Sequence, residues 1–451
     1  MADGEFDAVI VGAGICGSAC AGMLARGGLR VALLDARAEE QAGARWVNAV
    51  PARAFDAARI ARPEGDELHA LGHGFVLASP SGAVRVHIED HGVLEVDMRH
   101  LGARLRRDAR EAGVAVRFEA PVGRAHVEAG RVRAVEAGRD TLRAPLFVDA
   151  SGMHAVLRRA AFPAWPALDR AHVCTASQAV YAIADRAGAE RFLAREEASA
   201  GVHVARVGVA GGFSILNVRV DLDEGEVAVL TGSVQDGGDR PSGAQLLASF
   251  VRENAWIGAR IFGGSGAIPL RRPYARLGAP GLALLGDAAC MTFSAHGSGI
   301  GTALEAARLL ADAAASGGDP GEPSVTWRYA ASYHRAHGGV LLAYDVIRRV
   351  TQQLTRDESE TLMATGIVTK ESIAAGFAQT PPPLGAAELM RVGRGALRSP
   401  RLAARMAFQV RNVPASLAHG KRYPPEPEIA LLERYEARSA SLVGDPTDPV
   451  A

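Results

Sequence analysis

The stretch Asp7-Ala8-Val9-Ile10-Val11-Gly12-Ala13-Gly14-Ile15-Cys16-Gly17 constrains this chain more than any other. A short apolar run, Ala8 to Val11, meets glycine at once, as a buried parallel strand does. Gly-x-Gly-x-x-Gly then opens an alanine-rich run that Gly27-Gly28 stop, and a second apolar run from Val31 ends in Asp35. The pattern predicts strand, tight turn, helix, strand. Gly12 allows the turn, Gly14 lets a pyrophosphate approach the backbone, and Gly17 lets the helix pack close to the strand. The helix, starting near Ile15, would aim its free N–H groups at the phosphates. Asp35 stands where a carboxylate accepts ribose hydroxyls, which favours FAD or NAD over a cofactor with a phosphorylated ribose. A glycine turn alone is a weak signal. The strand before it, the helix after it and the acid at its distance together predict a dinucleotide site.

A chain of 451 residues suggests two or three structural units. Its hydrophobic content of 48% and charged content of 22% fit a soluble globular protein. Lys+Arg and Asp+Glu balance at 50 each, so charge gives no argument for nucleic acid as a partner. Cys16, Cys20, Cys174 and Cys290 show no metal-ligand spacing, and no metal is expected. With no leader-like start and no long apolar run, the expected location is cytoplasmic.

Residues 36–60 carry Arg37, Arg45, Trp46 and Asn48 and are expected to run along the cofactor. Arg45 either meets phosphate or ring oxygens or is a solvated loop arginine. Strand-like alternation over 71–98 precedes a helix over about 99–112, a meander around Gly130 and Gly138, and an apolar strand ending at Asp149. That strand runs into Ala150-Ser151-Gly152, with Arg158 beyond. Residues 168–275 turn β-rich, which predicts a sheet-based unit inserted into the first. The first unit resumes with an apolar strand ending in Gly286-Asp287, and Gly297-Ser298-Gly299-Ile300-Gly301 opens a long apolar helix. Residues 324–440 read as mostly helical, and the tail after about Glu428 is expected to fray. Residues 389–425 hold Arg391, Arg394, Arg398, Arg401, Arg405, Arg411, Lys421 and Arg422 and no acid. That pattern suits an anionic membrane surface, the acidic helix of an acyl carrier protein, or simply a solvated face.

Three motifs occur in order: Gly12-x-Gly14-x-x-Gly17, Asp149-Ala-Ser-Gly152 with Arg158, and Gly286-Asp287-Ala-Ala. With them the chain resembles, over about residues 5–315, the FAD-dependent oxidoreductase superfamily of aromatic hydroxylases, flavin-dependent halogenases and geranylgeranyl reductases. Ala267-Ile268-Pro269-Leu270 and Gly299-Ile300-x-x-Ala303 are most similar to the geranylgeranyl-reductase branch. The resemblance implies an α/β fold: an FAD-binding dinucleotide fold with an inserted β-sheet substrate domain and a helical C-terminal region. Residues 1–165 and 276–320 would form the FAD-binding domain, 166–275 the substrate domain and 321–451 the helical region.

It further implies FAD contacts at Gly12, Gly14, Ile15, Gly17, Asp35, Arg37, Arg45, Arg99, Val122, Gly152, Gly286, Asp287, Gly299 and Ile300. Asp287 would accept from a ribityl hydroxyl, and the helix after Gly299 would stabilise negative charge on a reduced flavin. His296, in the loop that covers the ring in similar proteins, is the expected catalytic residue, as proton donor or imidazolium. The implied activity is hydride transfer through flavin N5 to or from a hydrophobic small molecule, reducing a carbon–carbon double bond or forming one. NAD(P)H is left open as the electron donor. The alternatives are an O2-using monooxygenase or halogenase-like enzyme fed by a flavin reductase, and a non-redox flavoprotein.

The departures bear on chemistry. Ser151 replaces the aspartate that serves FAD and NAD(P)H in hydroxylases. The halogenase Trp-x-Trp-x-Ile-Pro signature is missing, and Gly212-Phe213-Ser214-Ile215-Leu216-Asn217 stands there. The reductases' cysteine before a glycine pair is replaced by Ala44-Arg45-Trp46-Val47-Asn48.

Overall fold

A computed structural model describes residues 6–71, 74–89, 91–236, 238–383 and 399–450, with 385, 390 and 394 between them. Ala8–Val11 is the centre of a six-stranded sheet. Val31–Leu34 and Leu146–Asp149 flank it, both parallel, with Ala8 opposite Val31 and Leu146. Ala115–Arg117 and Leu282–Leu284 extend the parallel set, and Gly278–Ala279 adds an antiparallel edge. The central strands are wholly buried, which explains their unbroken apolar sequence. Helix Ile15–Arg26 crosses from the first strand to the second and packs against helices Met98–Glu111 and Ile300–Ala314. A three-stranded meander, Val122–Glu128, Arg131–Ala137 and Asp140–Arg143, joins the same core through Val132, Val135 and Leu142.

The second sheet has seven strands in the order Ile257–Pro269, Val173–Ile183, Glu226–Val234, Ser214–Asp221, His203–Val207, Phe75–Ala78 and Arg85–Ile88. Its last two strands come from a part of the chain expected in the FAD-binding domain. The alternation of Phe75-Val76-Leu77 marks a strand but does not name its partner. Here it pairs in parallel with His203–Ala205, and Phe75 and Leu77 join an apolar cluster with Ile88, Ala205 and Ile215. A small antiparallel sheet, Val47–Pro51, Val93–Asp97 and Leu68–Leu71, lies between the two larger ones in the chain's path. Gln178 ties it to the second sheet. Its amide accepts from Val47 N at 2.7 Å and donates to Val47 O at 3.0 Å.

The C-terminal region is helical. Helix Pro323–Tyr333 runs through a wide turn, His334–Gly338, into Gly339–Gln352. The tail beyond Glu428 does not fray. Ile429–Val443 is a helix whose Leu432 and Tyr435 enter the main core. The chain after it is held by charge: Arg271 bonds Asp448, buried Arg272 bonds buried Glu436 and meets Asp445 at 3.2 Å, and Arg349 bonds Asp445 at 2.5 Å. The Gly-Asp-Pro composition of the tail hid partners that lie far off in the chain. Among the described residues no helix is long and apolar enough to cross a membrane.

Candidate active site

The glycine turn folds as its sequence demands. Gly12 has φ +109°, and a Cβ there would sit 2.2 Å from Ala150 O. A Cβ on Gly17 would fall 1.9 Å from Gly12 O, so helix and turn touch backbone to backbone. Gly14 differs, because a Cβ there would meet only Gly43 Cα, at 3.7 Å. Its free side opens on a cavity of about 600 Å³.

That cavity gathers three distant parts of the chain. The first motif gives Gly12, Gly14, Ile15, Asp35 and Arg37; the middle gives Val122 and Gly152; the third gives Gly286, Asp287, Gly299 and Ile300. Asp35 is buried and accepts from Ala13 N and Arg37 N, both at 2.9 Å, so its carboxylate is fixed beside the turn. Arg37 sits at the rim, largely exposed, 3.6 Å from Asp35. Asp287 accepts from Thr292 Oγ1 at 3.1 Å, and burial pushes its carboxyl pKa up. Gly17 lies in the helix, on the side packed against the turn, and does not line the cavity.

Two helix N-termini reach the cavity wall. Ile15–Arg26 starts at Gly14 and Ile300–Ala314 at Gly299; neither has a capping side chain or an acid in its first turn. Their free N–H groups and partial positive charge suit an anion. Trp46 also lines the cavity, and its buried indole N–H has no partner among the described residues. A dinucleotide with a pyrophosphate, ribose hydroxyls and a hydrogen-bonding ring matches this donor set and the open space beside Gly14.

Other expected residues lie elsewhere. Arg45 is exposed and donates to Glu40 O, which makes it the solvated loop arginine. Arg99 bonds Asp97, with Nη2 to Oδ2 at 2.6 Å, and stacks 3.6 Å over the Phe262 ring. It joins the FAD-binding part to the second sheet and does not line the cavity. His296 is the main correction. It is absent from the cavity lining. Ser298 N donates to its Nδ1 at 3.2 Å, which leaves Nε2 to carry the proton and donate to Gly376 O at 3.3 Å. Burial pulls its pKa down to about 4. At neutral pH it is an uncharged ring with both nitrogens bonded to backbone. That placement does not support a role as proton donor or imidazolium.

The Asp149-Ala-Ser-Gly152 motif is also structural in part. Asp149 is fully buried and accepts from Ser151 N, Ser151 Oγ and Arg158 N. Arg158 turns inward, donating to Tyr274 Oη at 3.2 Å. Neither side chain forms part of a surface site for a second nucleotide. The sequence reading passed over Gly43, whose φ of +81° lets the loop close over Gly14. It also passed over buried Arg106, which donates to Ala13 O at 3.4 Å. A glycine between two alanines is a faint signal, and Arg106 gives none.

Residues 5–173 match the family described as FAD binding domain. Digeranylgeranylglycerophospholipid reductase 1 of Methanopyrus kandleri is 28% identical over 69% of this chain and 80% of its own length. With the cavity, the helix ends and Asp35 in place, this decides the class. This chain is an FAD-dependent oxidoreductase. The flavoenzyme's fold is similar to that of a geranylgeranyl bacteriochlorophyll reductase-like protein from Thermoplasma acidophilum. Their TM-score is 0.72 at 17% identity, over 90% of this chain and 99% of the other. A flavin-dependent brominase gives a TM-score of 0.63 at 15% identity, over 88% and 99%. At those identities the shared property is the fold.

Proposed function

We propose that this flavoenzyme reduces a carbon–carbon double bond of an apolar, isoprenoid-type substrate. The carrying observation is the match to a reductase of an isoprenoid lipid over 80% of that relative's length. The geometry supports it. Half-buried Leu77 and Ile215 of the second sheet pack with Ile373 and Phe377 of the helix Lys370–Phe377 in one apolar cluster. The segment replacing the halogenase signature, Gly212 to Asn217, offers no tryptophan.

FAD, when bound, supplies the hydride and takes up the electrons. Gly14 and the N-terminus of Ile15–Arg26 would hold the phosphates, and Asp35 and Asp287 would accept from the hydroxyls. The N-terminus of Ile300–Ala314 would favour the reduced, negatively charged ring. Trp46 N–H would orient the ring or the substrate. The titratable residues on the described cavity wall are Cys16, Asp35, Arg37, His154 and Asp287. Asp35 is held by backbone N–H groups, and burial raises the Cys16 thiol. Of these, Asp287 is the carboxyl that burial shifts toward its protonated form, so Asp287 or water entering the cavity would supply the proton that completes reduction. NADPH, NADH or a partner reductase would supply the electrons.

The test is anaerobic. Protein reduced with dithionite is mixed with a polyprenyl lipid carrying allylic double bonds. Return of the oxidised flavin spectrum, with product two hydrogens heavier, supports the proposal. Turnover that requires O2 and yields an oxygenated or halogenated product would replace it with the monooxygenase-type reading.

A further inference from the structure

Helix Pro400–Val410 buries one face and leaves the other bare. Leu402 and Met406 pack with Leu354, Leu362, Ile367 and Val368. On the other face Arg401, Ala404, Arg405, Phe408 and Arg411 follow at three- and four-residue spacing, and all are exposed. Phe408 is 66% exposed and Met390 is 60% exposed, more than any other large apolar side chain among the described residues. The Arg411 guanidinium lies 3.5 Å over the Phe408 ring. Arg405 pairs with Glu358 at 2.9 Å, while Arg394 and Arg401 have no acidic partner among the described residues. Arg391 and Arg398 lie outside the described residues.

We propose that this face docks the enzyme on an anionic lipid bilayer. The charge argues for the occupant. The whole chain balances 50 cations against 50 anions, yet 389–425 carries eight cations and no acid. Such a segregated excess attracts lipid phosphates. The shape argues for a bilayer over a folded protein. Phe408 on the bare face is largely exposed, and Met390, earlier in the chain, is exposed as well; exposed apolar side chains suit a fluid layer they can enter. The proposal draws on the isoprenoid-lipid reading for its purpose only; vesicle binding measures it without turnover.

Full-length, FAD-loaded protein is floated with vesicles of phosphatidylcholine, with and without phosphatidylglycerol, at low and high salt. Binding to the anionic vesicles at low salt, weakened by salt, is expected. Phe408→Ser with Met390→Ser should cut that binding about tenfold, because each removes an apolar side chain that the bilayer would bury. Arg401→Gln with Arg411→Gln should weaken binding and flatten its salt dependence. All of these positions are exposed, so unchanged flavin content and melting midpoint will show intact folding. No binding to anionic vesicles at low salt, or equal binding by the serine variant, overturns the proposal. Capture of an acidic phosphopantetheinyl carrier protein without vesicle binding overturns it in favour of a protein partner.

Discussion

At the scale of single residues, Gly12 and Gly14 separate folding from cofactor binding. Gly12→Ala forces a side chain into a left-handed backbone and within 2.2 Å of Ala150 O. It should cost about 2 kcal/mol or more, read as a lower denaturant midpoint. Gly14→Ala meets nothing nearer than 3.7 Å. It should leave the midpoint of the cofactor-free protein nearly unchanged while weakening FAD binding, measured by flavin released on dilution. Asp287→Ala should also lose flavin while the chain stays folded. His296→Ala should keep turnover within a few-fold; a drop of about a hundredfold or more, the range of general acid catalysis, would restore its catalytic assignment. The cavity residues were legible where the backbone itself is the site, as at Gly12, Gly14, Gly286 and Gly299, because glycine spacing reports backbone geometry directly. Arg45, Arg99 and His296 were misplaced for one reason. Long or pivoting side chains choose among partners that only the folded structure brings near, here Glu40 O, Asp97 with Phe262, and the backbone around Gly376.

At the scale of elements, the ion-pair cluster around Arg272 is the joint between the C-terminal helix and the rest. Arg272 is 2% exposed and Glu436 1%. Arg272 keeps Asp445 at 3.2 Å when Glu436 is removed, whereas removing Arg272 strands the buried Glu436, so Arg272→Met should destabilise by about 3–5 kcal/mol in chemical denaturation and Glu436→Ala by less. The double variant Arg272→Met with Glu436→Leu should recover much of that loss, since no charge of the pair then remains stranded. An additive double variant would show that the two do not act as a pair. Local elements were readable wherever periodicity and turn residues agree. Ala8–Val11 with Ile15–Arg26, and the meander at Gly130 and Gly138, are of that kind. What periodicity lacks is pairing across distance. It marked Phe75–Ala78 as a strand yet did not place it beside His203–Val207, and it left the acids after Glu428 without their arginines.

At the scale of the whole molecule, buried histidines set the response to acid. His296 and His172 are held neutral with pKa values near 4, and His334 near 3, chiefly by burial. The unfolded chain takes up protons at these rings from about pH 6.5 downward, before the folded protein does. Stability should therefore fall as pH drops from about 6.5 toward 4. His203 works in the opposite sense, because Glu95 raises its pKa; its contribution is present in acid and is lost as pH rises through the folded value. His69 and His419 are lowered by burial as well, and five lowered rings against one raised ring make the net slope acid-destabilising. A melting midpoint flat between pH 7 and 4.5 would contradict this. The convergence of two uncapped helix starts on one cavity has a further result. Both bring partial positive charge to its wall. FAD, with its pyrophosphate at the first helix start and its ring at the second, would bind the native chain alone, so free FAD and native population are linked by mass action. The melting midpoint should climb with the logarithm of FAD concentration, by the equivalent of about 2.7 kcal/mol at a hundredfold excess over Kd. By the same linkage, chain held without FAD should be cleaved faster by a protease than chain held with it, because more of it is unfolded at any moment.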